Sequence, residues 1–150
     1  MDIESFLHRE GLTKASISKR AVALFIDSIA LVVLALMVNY DLFTSLTPTS
    51  TDEEFLFVQT EILKIYLPMA FAYQWLFVAL YGATLGKMVM KIRIIDLQTG
   101  DTPSVAVALN RSAVRIISEV VMNLGFLWAI LDPHKQGWHD KSARTLVIDV

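Results

Sequence analysis

The chain has 150 residues, of which 55% are hydrophobic and none is cysteine. This length predicts a single domain over 1–150, and the bunching of the apolar residues into blocks is typical of a membrane protein. The lack of cysteine excludes disulfides and thiol chemistry within this chain. The formal net charge of −2 predicts no nucleic-acid partner, and no cofactor is expected.

The first part of the chain predicts a short amphipathic helix over 2–10, followed by a long apolar helix. The apolar run 21–38 contains one ionisable residue, Asp27, and Arg20 stands at its head. About 18 apolar residues suffice to cross a bilayer, so a membrane-spanning helix is predicted over 20–40. An ionisable side chain at that depth usually faces protein or a wet cavity. Asp27 is therefore the leading candidate for an intramembrane site.

A polar loop over 41–54 ends in three carboxylates, which favour the first turn of the next helix. A second membrane-spanning helix is predicted over 62–82. Residues 90–96 alternate between charged and apolar side chains, and 145–150 also has strand character. These two segments are candidates for pairing in a small sheet at the membrane surface.

The third apolar block, 105–131, carries Arg111, Arg115 and Glu119 at four-residue spacing, on one helical stripe. Lys and Arg precede the first span, are absent from 41–61, and recur from Lys87 onward and in the tail 132–150. This distribution predicts that the N-terminus, the Lys87 region and the tail are all cytoplasmic. One more complete crossing would place the tail outside. The block is therefore expected to lie along the inner interface or to re-enter, packed against other helices. A simple third span is the alternative.

Asp27 needs a partner if it is buried. Arg20 precedes it by seven residues, about 10.5 Å along a helix, which is long for a contact. Arg115 or Arg111 is the expected counter-charge. A structural ion pair is the simpler interpretation, and an ion or proton site is the alternative.

The sequence motifs indicate neither a metal site nor a catalytic site. The spacing of the four acidic and histidine side chains in the tail matches no established metal site, so no metal is expected. No catalytic triad is evident. The chain is expected not to be an enzyme.

Four motifs occur in order and together resemble the RDD family of small bacterial membrane proteins, named for an arginine and two aspartates. The resemblance covers about 14–147. The motifs are Arg20 with Asp27, the segment Tyr-Gly-Ala-Thr-Leu-Gly-Lys at 81–87, Leu109-Asn110-Arg111 with Arg115, and the segment 136–145 around Asp140.

The resemblance implies that Arg20 and Asp27 are the family's arginine and first aspartate. Asp140 best fits the later aspartate, and Asp132 is the weaker candidate. It also implies a multi-pass protein of the bacterial inner membrane, with a role in the transport of unidentified ligands or in sodium–proton exchange.

Two functional hypotheses follow. The chain acts in transport as an oligomer, with Asp27 as the ion or proton site, or it is an accessory subunit of a larger membrane complex in which Asp27 is structural. The expected charge network in either case comprises Arg20, Asp27, Arg111, Arg115, Glu119 and Asp140.

Overall fold

The chain folds mainly into helices, and a computed structural model describes residues 3–47, 49–121 and 124–150. The elements in chain order are α1 (Ile3–Glu10), α2 (Ile17–Val38), α3 (Tyr40–Thr44), α4 (Asp52–Tyr81), α5 (Leu85–Val89), β1 (Ile92–Asp96), α6 (Val105–Val120), α7 (Leu124–Leu131), α8 (Trp138–Ser142) and β2 (Thr145–Asp149). The predicted class, a helical membrane protein with a small surface sheet, is confirmed.

Helices α2 and α4 are long and apolar enough to cross a membrane. The Ser16 side chain caps α2 by accepting from the Lys19 amide, and Thr51 with Glu54 forms a capping box at the start of α4. This box satisfies the first free amides of the helix, so α4 begins at Asp52, with the three carboxylates in its first turn as expected, and continues into the predicted span 62–82. Gly82, in the left-handed conformation, ends the helix.

The two spanning helices leave most of their apolar surface uncovered. Only 22% of the most apolar window of α2 and 17% of that of α4 are buried within the chain. Side chains such as Phe25 and Met37 point outward. This surface is suited to lipid or to further membrane helices.

The third block is bent, and its two helices, α6 and α7, lie at 101° to each other. The predicted bend is confirmed, and by length and composition the pair counts either as one broken span or as a re-entrant loop. Gly125 matters for this shape, because a Cβ there would lie 2.6 Å from the Ser118 hydroxyl. Its lack of a side chain lets α7 pack against α6.

Strands β1 and β2 pair antiparallel, with Ile94 opposite Val147, as the sequence suggested. The segment before α2 joins this sheet, because the Ala15 amide donates to the Val147 carbonyl at 3.0 Å and the Asp149 amide donates to the Thr13 carbonyl at 2.9 Å. The N-terminal and C-terminal parts of the described chain therefore lie together on one side of the spanning helices.

Three short helices lie where loops or tails were expected. Helix α3 falls in the polar loop, α5 follows Gly82, and α8 lies in the polar tail. Each has five residues, too few for a hydrophobic period to be recognised. Two of them, α5 and α8, carry or contact the polar residues described below.

Candidate functional site

The carboxylate of Asp27 lies near the middle of α2 and is only 2% exposed. It accepts hydrogen bonds from the Tyr73 hydroxyl at 2.6 Å, the Thr84 hydroxyl at 2.6 Å and the Gly86 amide at 2.7 Å. A buried charge is tolerated only when it is well hydrogen-bonded, and three donors meet that need. We call these four residues the Asp27 cluster. It ties α2 to α4 and to α5.

Asp27 serves as the cap of α5. Thr84 stands at the N-cap position of that helix but makes no capping bond of its own, because its hydroxyl donates to Asp27. The free amides of the first turn are satisfied from outside instead: Gly86 donates to Asp27, and Leu85 donates to the Tyr73 hydroxyl at 3.0 Å. A negative charge is also favourable beside this end of a helix.

Gly86 allows α5 to lie directly against α2. A Cβ at this position would collide with the carbonyl oxygen of Ala23 and would stand 3.0 Å from the Asp27 Cγ. The lack of a side chain at Gly86 therefore serves the close packing of α5 on α2.

The predicted pairing of Asp27 with Arg111 or Arg115 is wrong. Within residues 3–47, 49–121 and 124–150, no arginine forms an ion pair with Asp27, and its partners are uncharged donors. The physical reason is the packing of α6, which lies mainly against α4 and α8 rather than α2. Its basic stripe therefore meets a different carboxylate.

That carboxylate is Asp140 on α8, which is fully buried. Its Oδ2 forms an ion pair with Arg20, and its Oδ1 forms one with Arg111. The Gly137 amide adds a hydrogen bond of 2.9 Å. Burial alone would raise the pKa of Asp140, but the charges of Arg111 and Arg20 hold it well below its usual value. These residues, the Asp140 cluster, join α2, α6 and α8.

Both guanidiniums have further acceptors. Arg20 donates to the Lys135 carbonyl, and Arg111 donates to the Thr145 hydroxyl at 2.5 Å. Asp132, the other candidate for the later aspartate, pairs with Lys141 and accepts from the amides of the turn that follows it. The structure thus brings Arg20 to Asp140 and not to Asp132.

The other two charged residues of the predicted stripe, Arg115 and Glu119, do not pair with each other. Glu119 is half-buried and accepts from the Tyr66 hydroxyl at 2.7 Å. Arg115 is 8% exposed, and its guanidinium has no hydrogen bond or ion pair to any described residue. Of the three charged side chains on α6, only Arg111 enters the Asp140 cluster.

Lys87 on α5 is a functional candidate that sequence reasoning missed. It is 7% exposed, and its Nζ donates to the Thr84 hydroxyl at 3.4 Å. Burial, and then the positive charges of Arg115 and Arg111, lower the pKa of Lys87 to about 7. In the sequence Lys87 served only as a marker of orientation. Its place beside Gly86, in a motif already singled out, was the available signal.

Replacing Lys87 with methionine is expected to remove a pH dependence of stability. In the unfolded chain this lysine has its ordinary pKa of 10.5, against about 7 in the fold. Above pH 7 the unfolded state therefore binds more protons. The free energy of unfolding should rise with pH, by at most about 1.4 kcal/mol per unit.

The measurement is chemical unfolding in detergent between pH 7 and about pH 9, below the ordinary pKa of tyrosine. Lys87→Met should give a flatter profile than the wild type. Lys64→Met, at an exposed lysine on α4, is the matched control and should keep the wild-type slope. Equal slopes in all three proteins would contradict the prediction.

Comparison with known proteins supplies one match. A model of the RDD family matches residues 14–144, a range that contains both the Asp27 cluster and the Asp140 cluster. No curated protein and no solved structure shows significant similarity to the chain.

Proposed function

The chain belongs to the RDD family, and from that premise we propose that it transports an ion or a small ligand across the bacterial inner membrane, coupled to protons. Asp27 is the intramembrane polar site in this proposal. The observation that carries it is the buried connection from Asp27 through the Thr84 hydroxyl to the Lys87 amine. No enzymatic activity is part of the proposal.

The connection from Asp27 through Thr84 to Lys87 contains a group suited to proton exchange. A group exchanges protons most readily when its pKa lies near the working pH, and the pKa of Lys87 is about 7. Asp27 acts on Lys87 in the opposite sense to the neighbouring arginines, because its negative charge raises that pKa. A cation bound at Asp27 would weaken this effect and favour release of the Lys87 proton. The arrangement therefore supports exchange of a cation for a proton.

The proposal requires more than one copy or a partner. Within the part of the chain that the structure describes, a single copy has two helices that could span a membrane, or three spans if α6 and α7 together count as one. Such a small set can hardly enclose a pathway. The uncovered apolar faces of α2 and α4 support assembly in the bilayer as a homo-oligomer or within a larger membrane complex.

The proposed orientation places the N-terminus and the tail in the cytoplasm. The charge distribution supports it, and so do the contacts of the sheet with the segment before α2. The Lys14 backbone bridges to Ile148, and the Lys19 amine pairs with Asp149 at 2.6 Å. These contacts support the placement of both ends on one side of the membrane.

Reconstitution in liposomes tests the transport proposal. A sodium gradient imposed across vesicles with an entrapped pH dye should produce a pH change with the wild type. Asp27→Asn should abolish the change, because the neutral amide cannot hold the cation. Asp101→Asn, at an exposed aspartate outside both clusters, should transport like the wild type. Silent wild-type vesicles would count against transport by the chain alone, with sodium as the driving ion.

The second candidate function is that of an accessory or assembly subunit. One observation favours it: the donors around Asp27 all come from the protein and cap α5, which is a structural role. Co-purification with a larger membrane protein, together with silent liposomes, would support this function. Asp27→Asn should then weaken the association only through loss of fold stability.

A further inference from the structure

A cavity of about 360 Å³ lies where the spanning helix α4 ends, between α5 and the start of β1. Tyr81 and Met88 line its apolar side, and Lys91 and Arg93 line its basic side. The volume lies within the range of small-molecule pockets. A cavity with these two sides suits a molecule that is apolar at one end and anionic at the other.

The two cations of the cavity have no counter-charge in the described chain. Neither Lys91 nor Arg93 forms an ion pair or a side-chain hydrogen bond with any residue that the structure describes. The Nε of Arg93 is inaccessible to solvent, so water does not serve it either. Buried donors without an acceptor are rare, and each calls for an explanation.

The carboxylates of the sheet lie on the face that Arg93 does not occupy. Asp149 stands opposite Ile92 in the ladder, and Asp96 follows Ile92 by four residues, so both share the face of Ile92. Asp149 pairs with Lys19 at 2.6 Å, and Asp96 stands at the far end of the strand. The sheet therefore does not supply an anion to the cavity.

Lys91 adopts a backbone conformation that favours glycine. Its φ is +53°, and it directly follows Met90, the C-cap of α5. Glycine is the usual residue at this position after a helix, because other side chains are strained there. Strained residues are concentrated at binding and active sites. A lysine at this position therefore indicates a role for its side chain.

Helix α5 turns an apolar face outward beside the cavity. Leu85, Met88 and Val89 are exposed, and their spacing places them on one side of the helix. The other side carries Gly86 and Lys87, which are buried. Because α5 follows directly after the end of a spanning helix, its apolar face is placed to contact lipid chains.

The sheet lies nearer the membrane surface than α5 does. Helix α5 packs through Gly86 against Ala23 of α2. The sheet is held instead by Lys19, through its pair with Asp149. Lys19 is four residues closer to the start of α2 than Ala23, which corresponds to about 6 Å along the axis. The apolar face of α5 is therefore at the depth of lipid chains, and Lys91 leads from it towards the level of lipid phosphates.

We propose that this cavity binds an anionic phospholipid. Its phosphate accepts from Lys91 and Arg93, and its chains lie along Tyr81 and the outward face of α5. Arginine and lysine are the side chains that recognise phosphate, and basic residues at the edge of a membrane helix attract anionic lipids. A free phosphate would leave the apolar side of the cavity uncovered. The Asp27 cluster is not required to contact the lipid, so the inference goes beyond the transport proposal.

The test uses the full-length protein in nanodiscs made of equal parts of phosphatidylglycerol and phosphatidylethanolamine. Native mass spectrometry of protein ejected from the nanodiscs counts the lipids of each class that remain bound. The wild type should retain the anionic lipid in preference by about tenfold or more, since each of two cations near the surface contributes.

A calorimetric titration separates a lipid from a free anion. The delipidated protein in detergent should bind short-chain phosphatidylglycerol about tenfold or more tightly than inorganic phosphate, because the chains add apolar contact. Equal affinity for the two would assign the cavity to a free anion and overturn the lipid proposal.

Lys91→Gly separates binding from stability. It removes one cation and also relieves the left-handed strain, so it should unfold at the same or a higher denaturant concentration than the wild type. The preference for phosphatidylglycerol should nevertheless fall about fivefold, which is the effect of one cation near a membrane surface. Arg93→Gln should lower the preference by a similar factor, and circular dichroism checks that both variants fold.

Arg144→Gly is the matched control. Arg144 is exposed and has a φ of +51°, so the change removes the same charge and the same strain. It stands at the other end of the ladder, where its carbonyl accepts from the Leu97 amide at 3.0 Å. This variant should retain phosphatidylglycerol like the wild type.

Three further results would overturn the proposal. The wild type could retain both lipids equally. Either Lys91→Gly or Arg93→Gln could keep the full preference of the wild type. Arg144→Gly could lose the preference to the same extent as Lys91→Gly, which would indicate attraction to the general basic surface. None of these results depends on whether the protein transports an ion.

Discussion

Replacing Asp140 with asparagine should lower the free energy of unfolding by about 3–5 kcal/mol, because it leaves two buried guanidiniums without a counter-charge. Arg20 is 4% exposed and Arg111 is 3% exposed, so water cannot take the place of the carboxylate. The neutral amide of the new side chain could accept hydrogen bonds from the guanidiniums but could not balance their charge. Thermal and denaturant unfolding in detergent give the measurement.

The control for this change is Asp101→Asn, which removes the same charge from an exposed turn. It should alter the free energy of unfolding by no more than about 0.5 kcal/mol. A loss in Asp140→Asn no larger than in this control would show that the two ion pairs contribute nothing to stability.

The stability that the Asp140 cluster contributes should decrease at acidic pH. Because the folded-state pKa of Asp140 is depressed, its contribution is present above the unfolded pKa of about 3.9. It is lost as the pH falls below that value, towards the folded-state pKa. Asp140→Asn should therefore lose part of the acid sensitivity of the wild type.

Replacing Gly86 with alanine is the second change with a large expected effect. The added methyl would collide with the Ala23 backbone, and a backbone carbonyl in the middle of α2 cannot move aside as a flexible side chain can. Helix α5 must shift away, which lengthens the hydrogen bonds to Asp27. The expected loss is about 3 kcal/mol, at the upper end of the usual range for overpacking.

Gly11→Ala is the matched control for the alanine substitution. Gly11 has a φ of +64° with no atom within 4 Å of an added Cβ. It should lose only the backbone strain of about 1 kcal/mol. If Gly86→Ala unfolds at the same denaturant concentration as Gly11→Ala, then α5 does not depend on close contact with α2.

The elements that could be predicted from the sequence are those with a strong local signal. Helix α2, the membrane part of α4 and the two strands follow from the length or period of their apolar residues, and the bend in the third block follows from the distribution of Lys and Arg. The start of α4 was also indicated, because the three carboxylates at the end of the polar loop were assigned to the first turn of this helix. The short helices α5 and α8 contain too few residues for a hydrophobic period to be recognised in the sequence.

The ion pairs could be predicted only in part. The positions Arg20, Asp27, Arg111 and Asp140 were all recognised as candidates, yet the assignment of Asp27 to an arginine was wrong. A helical stripe shows which residues face the interior, but it does not show which neighbour they face. Two of the three partners of Asp27 come from the segment around α5, and the counter-ion of Arg111 comes from α8. These are two elements that the sequence did not reveal.

The pairing of Arg20 with Asp140 spans 120 residues of chain, and that of Arg111 with Asp140 spans 29. During synthesis both arginines are made before the aspartate that neutralises them, and Arg20 leaves the ribosome long before Asp140 exists. Until then they must be held by water, lipid phosphates or the insertion machinery, because they cannot be buried alone. The interior of the protein therefore closes late, when α8 arrives, and a nascent chain cut short before Asp140 would present two unpaired guanidiniums to the cell's quality control.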